Sequence, residues 1–178
     1  LLYAWIALAV VLLPVQFLVT APYGRHVRPR WGPTVDNRIG WIIMEAVSPM
    51  IFTVALFWKH PPQSAFVWVI FALWVVHYAY RTVVFPLLLR TPGKRMPLAI
   101  MASAIAFNAV NGWTNGYFLG VLSPGYSADW FGDPRFLAGI SMFGTGVLIH
   151  VWADNRLIGL RAPGETGYKV PHGGLFEW

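Results

Sequence analysis

A polytopic bundle of membrane-spanning α-helices is the fold class this sequence predicts, and three observations carry the prediction. Of its 178 residues 57% are hydrophobic and only 11% charged. The apolar residues gather in five long runs, and the basic residues gather between them. A soluble domain usually carries about 25% charged residues, so this chain lacks the polar surface that water requires. The whole of it, 1–178, reads as a single integral membrane domain.

A bilayer-crossing helix needs roughly 20 mostly apolar residues, and the five runs that meet this are Leu2–Thr20, Gly40–Trp58, Ala65–Leu88, Pro97–Leu122 and Phe136–Ala153. The first could be read as a signal peptide. It has no basic n-region, however, and its apolar run is long for one, so a retained span is expected. Lys and Arg collect in cytoplasmic loops. Arg25, Arg28, Arg30 and Arg38 fall in the first loop, Arg90, Lys94 and Arg95 in the third, and Arg156, Arg161 and Lys169 after the fifth run. Strict alternation puts these on one side, expected to be the cytosol, with the N-terminus outside. The net charge of +6 is then a topology signal, and no nucleic-acid partner is expected, since that needs a basic patch on a soluble face.

Ionisable residues inside a span are costly and mark functional sites by default. Glu45 lies early in the second run, in WIIMEAVSP. His77, Tyr78 and Arg81 lie in HYAYR of the third, at spacings that let one helix face carry all three. Asn108, Asn111 and Asn115 share a face of the fourth, and His150 and Asp154 are four apart near the end of the fifth. Each has a plainer reading. Asparagines in membrane helices hydrogen-bond neighbouring helices, Arg81 can snorkel to headgroups, His77 can be a packing residue, and the ten tryptophans suit core and interfacial belts. Glu45 differs, because a carboxyl a turn and a half inside a span needs a partner or a proton.

Several chemistries are disfavoured. The chain has no cysteine, which removes thiol nucleophiles, disulfides and thiolate metal sites. No two histidines are spaced as in paired histidine boxes, so no metal is expected. A G-x-S-x-G elbow, a G-x-G-x-x-G turn between strand and helix and a Walker loop are all absent. What remains is a polar pocket in the membrane beside a basic, glycine-rich face, whose cations and backbone amides suit a phosphate-bearing ligand; a solvated anchoring face is the alternative.

RAPGETGYKVPHGGLF (161–176) closely resembles the steroid 5α-reductase segment that reads approximately R-x-P-G-E-x-x-Y-x-x-P-x-G-G-L-F. HYAYR (77–81) resembles the family's H-Y-x-x-R, RTPGKRMPL (90–98) its short basic loop and NGWTNGY (111–117) its N-G motif; APYGRH (21–26) and W-x-x-x-E (41–45) follow the same order. The resemblance covers nearly the whole chain, and a bacterial relative is expected. It implies an all-α membrane fold of about seven spans, two of them beyond Trp178, in a further segment or a second chain. The membrane would be the bacterial inner membrane, or the endoplasmic reticulum in a eukaryote.

The resemblance also implies an activity: NADPH-dependent reduction of the Δ4 double bond of 3-oxo-Δ4 steroids. Glu45 and Tyr78 would hydrogen-bond the 3-keto oxygen while hydride reaches C5; to donate, Glu45 must carry a proton, which apolar surroundings favour. Trp41 would wall the steroid, with Asn111 also on the substrate. Tyr23, Arg81, Lys94, Arg95, Asp154, Arg161, Tyr168 and Lys169 would serve the cofactor, the cations on its phosphates. The chain departs from the family pattern at Met44, where glutamine is common in animal members, at Phe85, where tyrosine is common, and at His150, where asparagine is expected. Two other readings stay open: a membrane methyltransferase of the isoprenylcysteine type, and a non-catalytic sterol-binding or transport protein.

Overall fold

The computed structural model describes residues 2–20, 26, 32–90, 92–162, 165 and 169–177. Helices dominate. In chain order they are α1 (Leu2–Leu18), α2 (Asn37–Leu56), α3 (Ala65–Ala79), α4 (Phe85–Leu88), α5 (Leu98–Tyr117) and α6 (Pro134–Gly159), with two short strands, β1 (Thr34–Asp36) and β2 (Arg95–Pro97). The chain is an all-α bundle of membrane-type helices.

The most extensive helix pair is α2 with α5, and the reason is visible in NGWTNGYFLG. Gly112, Gly116 and Gly120 recur every fourth residue, so they line one face. They lie against the backbone of α2 at Ser48, Phe52 and Leu56. A Cβ on Gly112 would sit 2.7 Å from the Ser48 carbonyl, and at Gly116 and Gly120 the approach to the Phe52 and Leu56 carbonyls is closer still. Helices in lipid gain little from hydrophobic burial against each other and associate through such close small-residue contacts. Phe52 and Leu56 are consequently fully buried, with Trp74 stacked on Phe52 at 4.4 Å between ring centroids.

The starts of α2 and α5 are tied by an antiparallel ribbon the sequence did not announce: Thr34 pairs with Pro97, Val35 with Met96 and Asp36 with Arg95. Asp36 also caps α2, its carboxylate accepting from the Arg38 and Ile39 amides. This holds the first and third loops together at one end of the bundle. Three-residue strands flanked by helix starts carry too short an alternation to be read in advance.

Between α3 and α4 the chain makes a π-turn, Tyr80–Val84. Pro86 has no N–H to give the Thr82 carbonyl, and the Phe85 amide bonds the Tyr80 carbonyl, five residues back. The wide turn lies in HYAYR itself, and π-turns inside helices are frequent at functional sites. The last helix, α6, is clamped at both ends. Near its start Phe136 meets Phe66 at 4.9 Å in a cluster with Tyr126, Trp130 and Phe131; near its end His150 and Asp154 reach the π-turn.

Of the five expected spans, three are helices long and apolar enough to cross a membrane by length and composition: Asn37–Leu56, Ala65–Leu88 and Pro134–Gly159. The first run forms a shorter apolar helix, touching the bundle where Trp5 meets Phe107 at 5.9 Å. In α5 three asparagines dilute the hydropathy of a helix whose length alone would suffice.

Candidate active site

A carboxylate in the middle of a helix bundle needs a partner, and Glu45 has one. Its Oε1 accepts from Arg81 Nη2 at 2.6 Å, with both side chains largely buried. The guanidinium is held on three further sides. Its Nη1 lies 3.0 Å from His150 Nε2, and its carbon sits 4.6 Å from the Trp41 ring centroid and 5.2 Å from that of Phe85. His150 Nε2 is in turn 3.1 Å from Asp154 Oδ2, and the Tyr80 hydroxyl donates to the same oxygen at 3.4 Å. One chain of polar contacts therefore runs from Glu45 on α2, through Arg81, to His150 and Asp154 on α6.

Beside this chain lies a cavity of about 470 Å³ lined by Glu45, His77, Tyr78, Arg81, Ser103, Phe107 and others. It is the space in which Glu45, Tyr78 and Arg81 converge. A second cavity, of about 550 Å³, lies between α3, α5 and α6 and shares His77 and Tyr78 with the first. Asn111 and Asn115 line this second space, with Asn115 Nδ2 donating to the Asn111 side chain at 3.1 Å. Asn108 instead donates to the Met44 carbonyl at 2.7 Å and is buried, the helix-bonding role open to any asparagine in a membrane helix. Trp41 lies over Arg81, outside the lining described for either cavity.

At the ribbon end the basic residues divide into committed and clustered ones. Arg95 donates to the Thr34 hydroxyl and carbonyl at 2.7 and 2.6 Å, and Lys169 pairs with Glu165 at 2.6 Å. Arg90 donates to the Arg161 carbonyl at 2.9 Å, joining the third loop to the end of α6. Lys94 is held below the usual lysine range, first by burial and then by the charge of Arg161. The terminal glycine-rich stretch docks on α6: Arg156 donates to the His172 carbonyl at 2.9 Å, Phe176 stacks on Trp152 at 5.8 Å, and Gly174 turns at positive φ where a Cβ would meet the Trp152 ring at 2.8 Å. Tyr23 and Tyr168 lie outside the described residues.

Residues 94–178 match the family model described as 3-oxo-5-alpha-steroid 4-dehydrogenase. The chain is 39% identical over 158 residues to 3-oxo-5-alpha-steroid 4-dehydrogenase 1 of Homo sapiens, across 88% of this chain and 60% of that protein. It is 38% identical to the protein of the same name from Bos taurus, across 99% of this chain and 69% of that one. The chain belongs to the steroid 5α-reductase family. To Steroid 5-alpha-reductase DET2 of Gossypium hirsutum it is 34% identical, across 98% of this chain and 70% of that one. The chain spans about 60% of the length of the human relative, so its own activity is taken up below as a proposal.

The polar chain includes Tyr80, to which the sequence alone gives no role. Tyr80 was visible as the second tyrosine of HYAYR, yet helical spacing alone gave it no partner. His150 stands out in the sequence by its spacing from Asp154 and as a departure from the family pattern, but neither places it against Arg81. It is the hinge of the polar chain, a role that only the approach of α6 to the π-turn reveals.

Proposed function

We propose that this chain carries the substrate and catalytic portion of an NADPH-dependent 3-oxo-5-alpha-steroid 4-dehydrogenase, an oxidoreductase that saturates the Δ4 bond of 3-oxo steroids. The observation that carries the reading is the convergence of Glu45, Tyr78 and Arg81 on one cavity of about 470 Å³ in a chain of this family. Small-molecule sites are concave, mostly apolar and furnished with a few convergent polar groups.

Reduction of a conjugated enone places negative charge on the ketone oxygen as C5 is attacked. Donors aimed at that oxygen stabilise the transition state more than the ground state. With Oε1 of Glu45 engaged by Arg81, Oε2 is the oxygen we assign to the ketone, beside the Tyr78 hydroxyl. Arg81 orients Glu45 from behind. Trp41 then acts by pinning the guanidinium rather than by walling the steroid, and Asn111 lies towards the second cavity.

The residues present fit a nicotinamide dinucleotide phosphate. Lys94 and Arg161 are cations of a kind that suits its phosphates, Asp154 can accept from a ribose or carboxamide, and Lys169 and Arg95 belong to the same basic end. Tyr23 and Tyr168 belong to the same assignment. When bound, this cofactor supplies the hydride. We place the basic end in the cytosol and the protein in the bacterial inner membrane or the endoplasmic reticulum, with a steroid and the lipid bilayer as its partners.

The test is oxidation of NADPH by the purified full-length protein with progesterone or testosterone, followed by mass detection of a product heavier by two hydrogens. A 5α-reduced product supports the reading. Steroid binding without oxidation points to a sterol-binding protein and overturns it.

The basic end gives a prediction of its own. Lys94 titrates below an ordinary lysine because burial and Arg161 disfavour its charge. Its positive charge is therefore present at lower pH and lost earlier as pH rises. NADPH affinity should fall on the alkaline side before ordinary lysines deprotonate, and Lys94→Gln should lower affinity at neutral pH and flatten that fall. An unchanged alkaline profile in Lys94→Gln would remove Lys94 from the phosphate site.

A further inference from the structure

His150 Nε2 lies 3.0 Å from Arg81 Nη1 and 3.1 Å from Asp154 Oδ2. A guanidinium only donates and a carboxylate only accepts. One ring nitrogen carries either a lone pair or a proton, so it can satisfy one of these neighbours at a time. The two contacts are alternatives set by the protonation of a single atom.

We propose that His150 is a positioning residue that braces Arg81 through an unprotonated Nε2, and that protonation of the ring releases Arg81 and turns the nitrogen to Asp154. The proposal rests on the reading of Glu45 as the group facing the ketone, because Arg81 reaches Glu45 with its other nitrogen at 2.6 Å. Bracing the guanidinium on the α6 side fixes the carboxyl on the α2 side. Protonated, the imidazole would set a second cation beside Arg81 and remove its acceptor, so Arg81 and Glu45 lose their setting together. Asp154 is held in either state, since the Tyr80 hydroxyl also reaches Oδ2 at 3.4 Å.

The ionisable groups around the ring come from four elements. Arg81 and Tyr80 belong to the π-turn, Tyr80 with its ring centroid 6.1 Å away. His77 on α3 is 6.4 Å away between centroids, and Asp154 is one turn along α6. Glu45 on α2 stands behind Arg81. The sign follows from the contact with Arg81: lowering the pH protonates the brace, and the chemical step slows while cofactor binding changes less.

A substitution pair separates this from a structural role. Asparagine offers its acceptor and its donor on different atoms, so His150→Asn can serve Arg81 and Asp154 at once and has no proton to gain. Leucine serves neither. In the full-length protein, kcat of the wild type should fall about tenfold or more once the pH is low enough to protonate the ring, the rate equivalent of losing one hydrogen bond to a charged group. KM for NADPH should move little. His150→Asn should keep most of the alkaline kcat and lose the acid limb. His150→Leu should run low at every pH.

The same preparation, labelled with ¹⁵N-histidine, reports the ring directly. Among its five histidines, His150 is assigned by the signal that disappears in His150→Asn. At alkaline pH its Nε2 should be unprotonated, and it should gain its proton with the midpoint of the kcat limb. An Nε2–H at alkaline pH, an acid limb unchanged in His150→Asn, or full turnover in His150→Leu would each overturn the brace. A wild type that turns over no steroid refutes the proposed reaction instead, and the nitrogen signal then decides whether the brace exists.

Discussion

Steroid turnover should fall by about 10²–10⁴-fold when Glu45 is replaced by glutamine, with NADPH affinity hardly changed. The substitution keeps the shape and the acceptor that Arg81 uses. What it removes is the acid proton that strengthens a hydrogen bond to oxygen as negative charge develops there. It also changes the group that Arg81 holds at 2.6 Å, so folding must be checked by thermal melting in detergent. Tyr78→Phe removes the second donor without touching that pair and should cost about 10²–10³-fold in kcat. Because both act on one oxygen, the double variant should lose less than the product of the two. Single-turnover rates with saturating NADPH and testosterone measure all three, and full turnover in both single variants would sink the assignment.

The residues of this site were legible in the sequence, but their connections were not. Glu45 stood out because an acid in an apolar run is costly, and HYAYR declared one helix face by its spacing. Neither rule says which helix comes opposite. Arg81 meets Glu45 from within the π-turn, which helical spacing does not foresee. Pro86, which has no amide to offer the Thr82 carbonyl, sits outside the motif. Arg95 shows the same limit. The resemblance puts it in one basic loop with Lys94, and the short ribbon that turns Arg95 back onto Thr34 could not be read in advance.

Helix number was less legible than helix type. Composition and run length predicted a membrane bundle, and the helices have that character. The polar face that builds the second cavity, Asn111 and Asn115, is also what holds the hydropathy of α5 down. A length-and-hydropathy rule scores a helix for its mean. Polar residues that face the interior of a bundle cost the bilayer nothing, yet they count against the span.

The glycine face of α5 could have been read from NGWTNGYFLG and was not, because the asparagines drew the functional reading. It makes the second large prediction. Gly116→Ala adds a single carbon where the Phe52 carbonyl and the Ala55 Cβ already crowd the space, the latter 3.0 Å from the added atom. Helix propensity favours alanine over glycine by about 1 kcal/mol, so a loss of stability would have to come from the interface. We expect that loss, about 1–3 kcal/mol in the usual range for overpacking, because both obstacles lie on α2 and only a shift of the two helices relieves them. Gly116→Leu should prevent assembly and abolish steroid binding along with turnover, since α2 carries Glu45 and α5 lines the same cavity. Gly144→Ala on α6 is the control, for nothing lies within 4 Å of its added carbon. Thermal melting in detergent should therefore rank Gly144→Ala at or above the wild type and Gly116→Ala below it. If the two alanine variants melt alike, the α2–α5 contact is looser than its geometry states, and the cavity it frames would owe its shape to other elements.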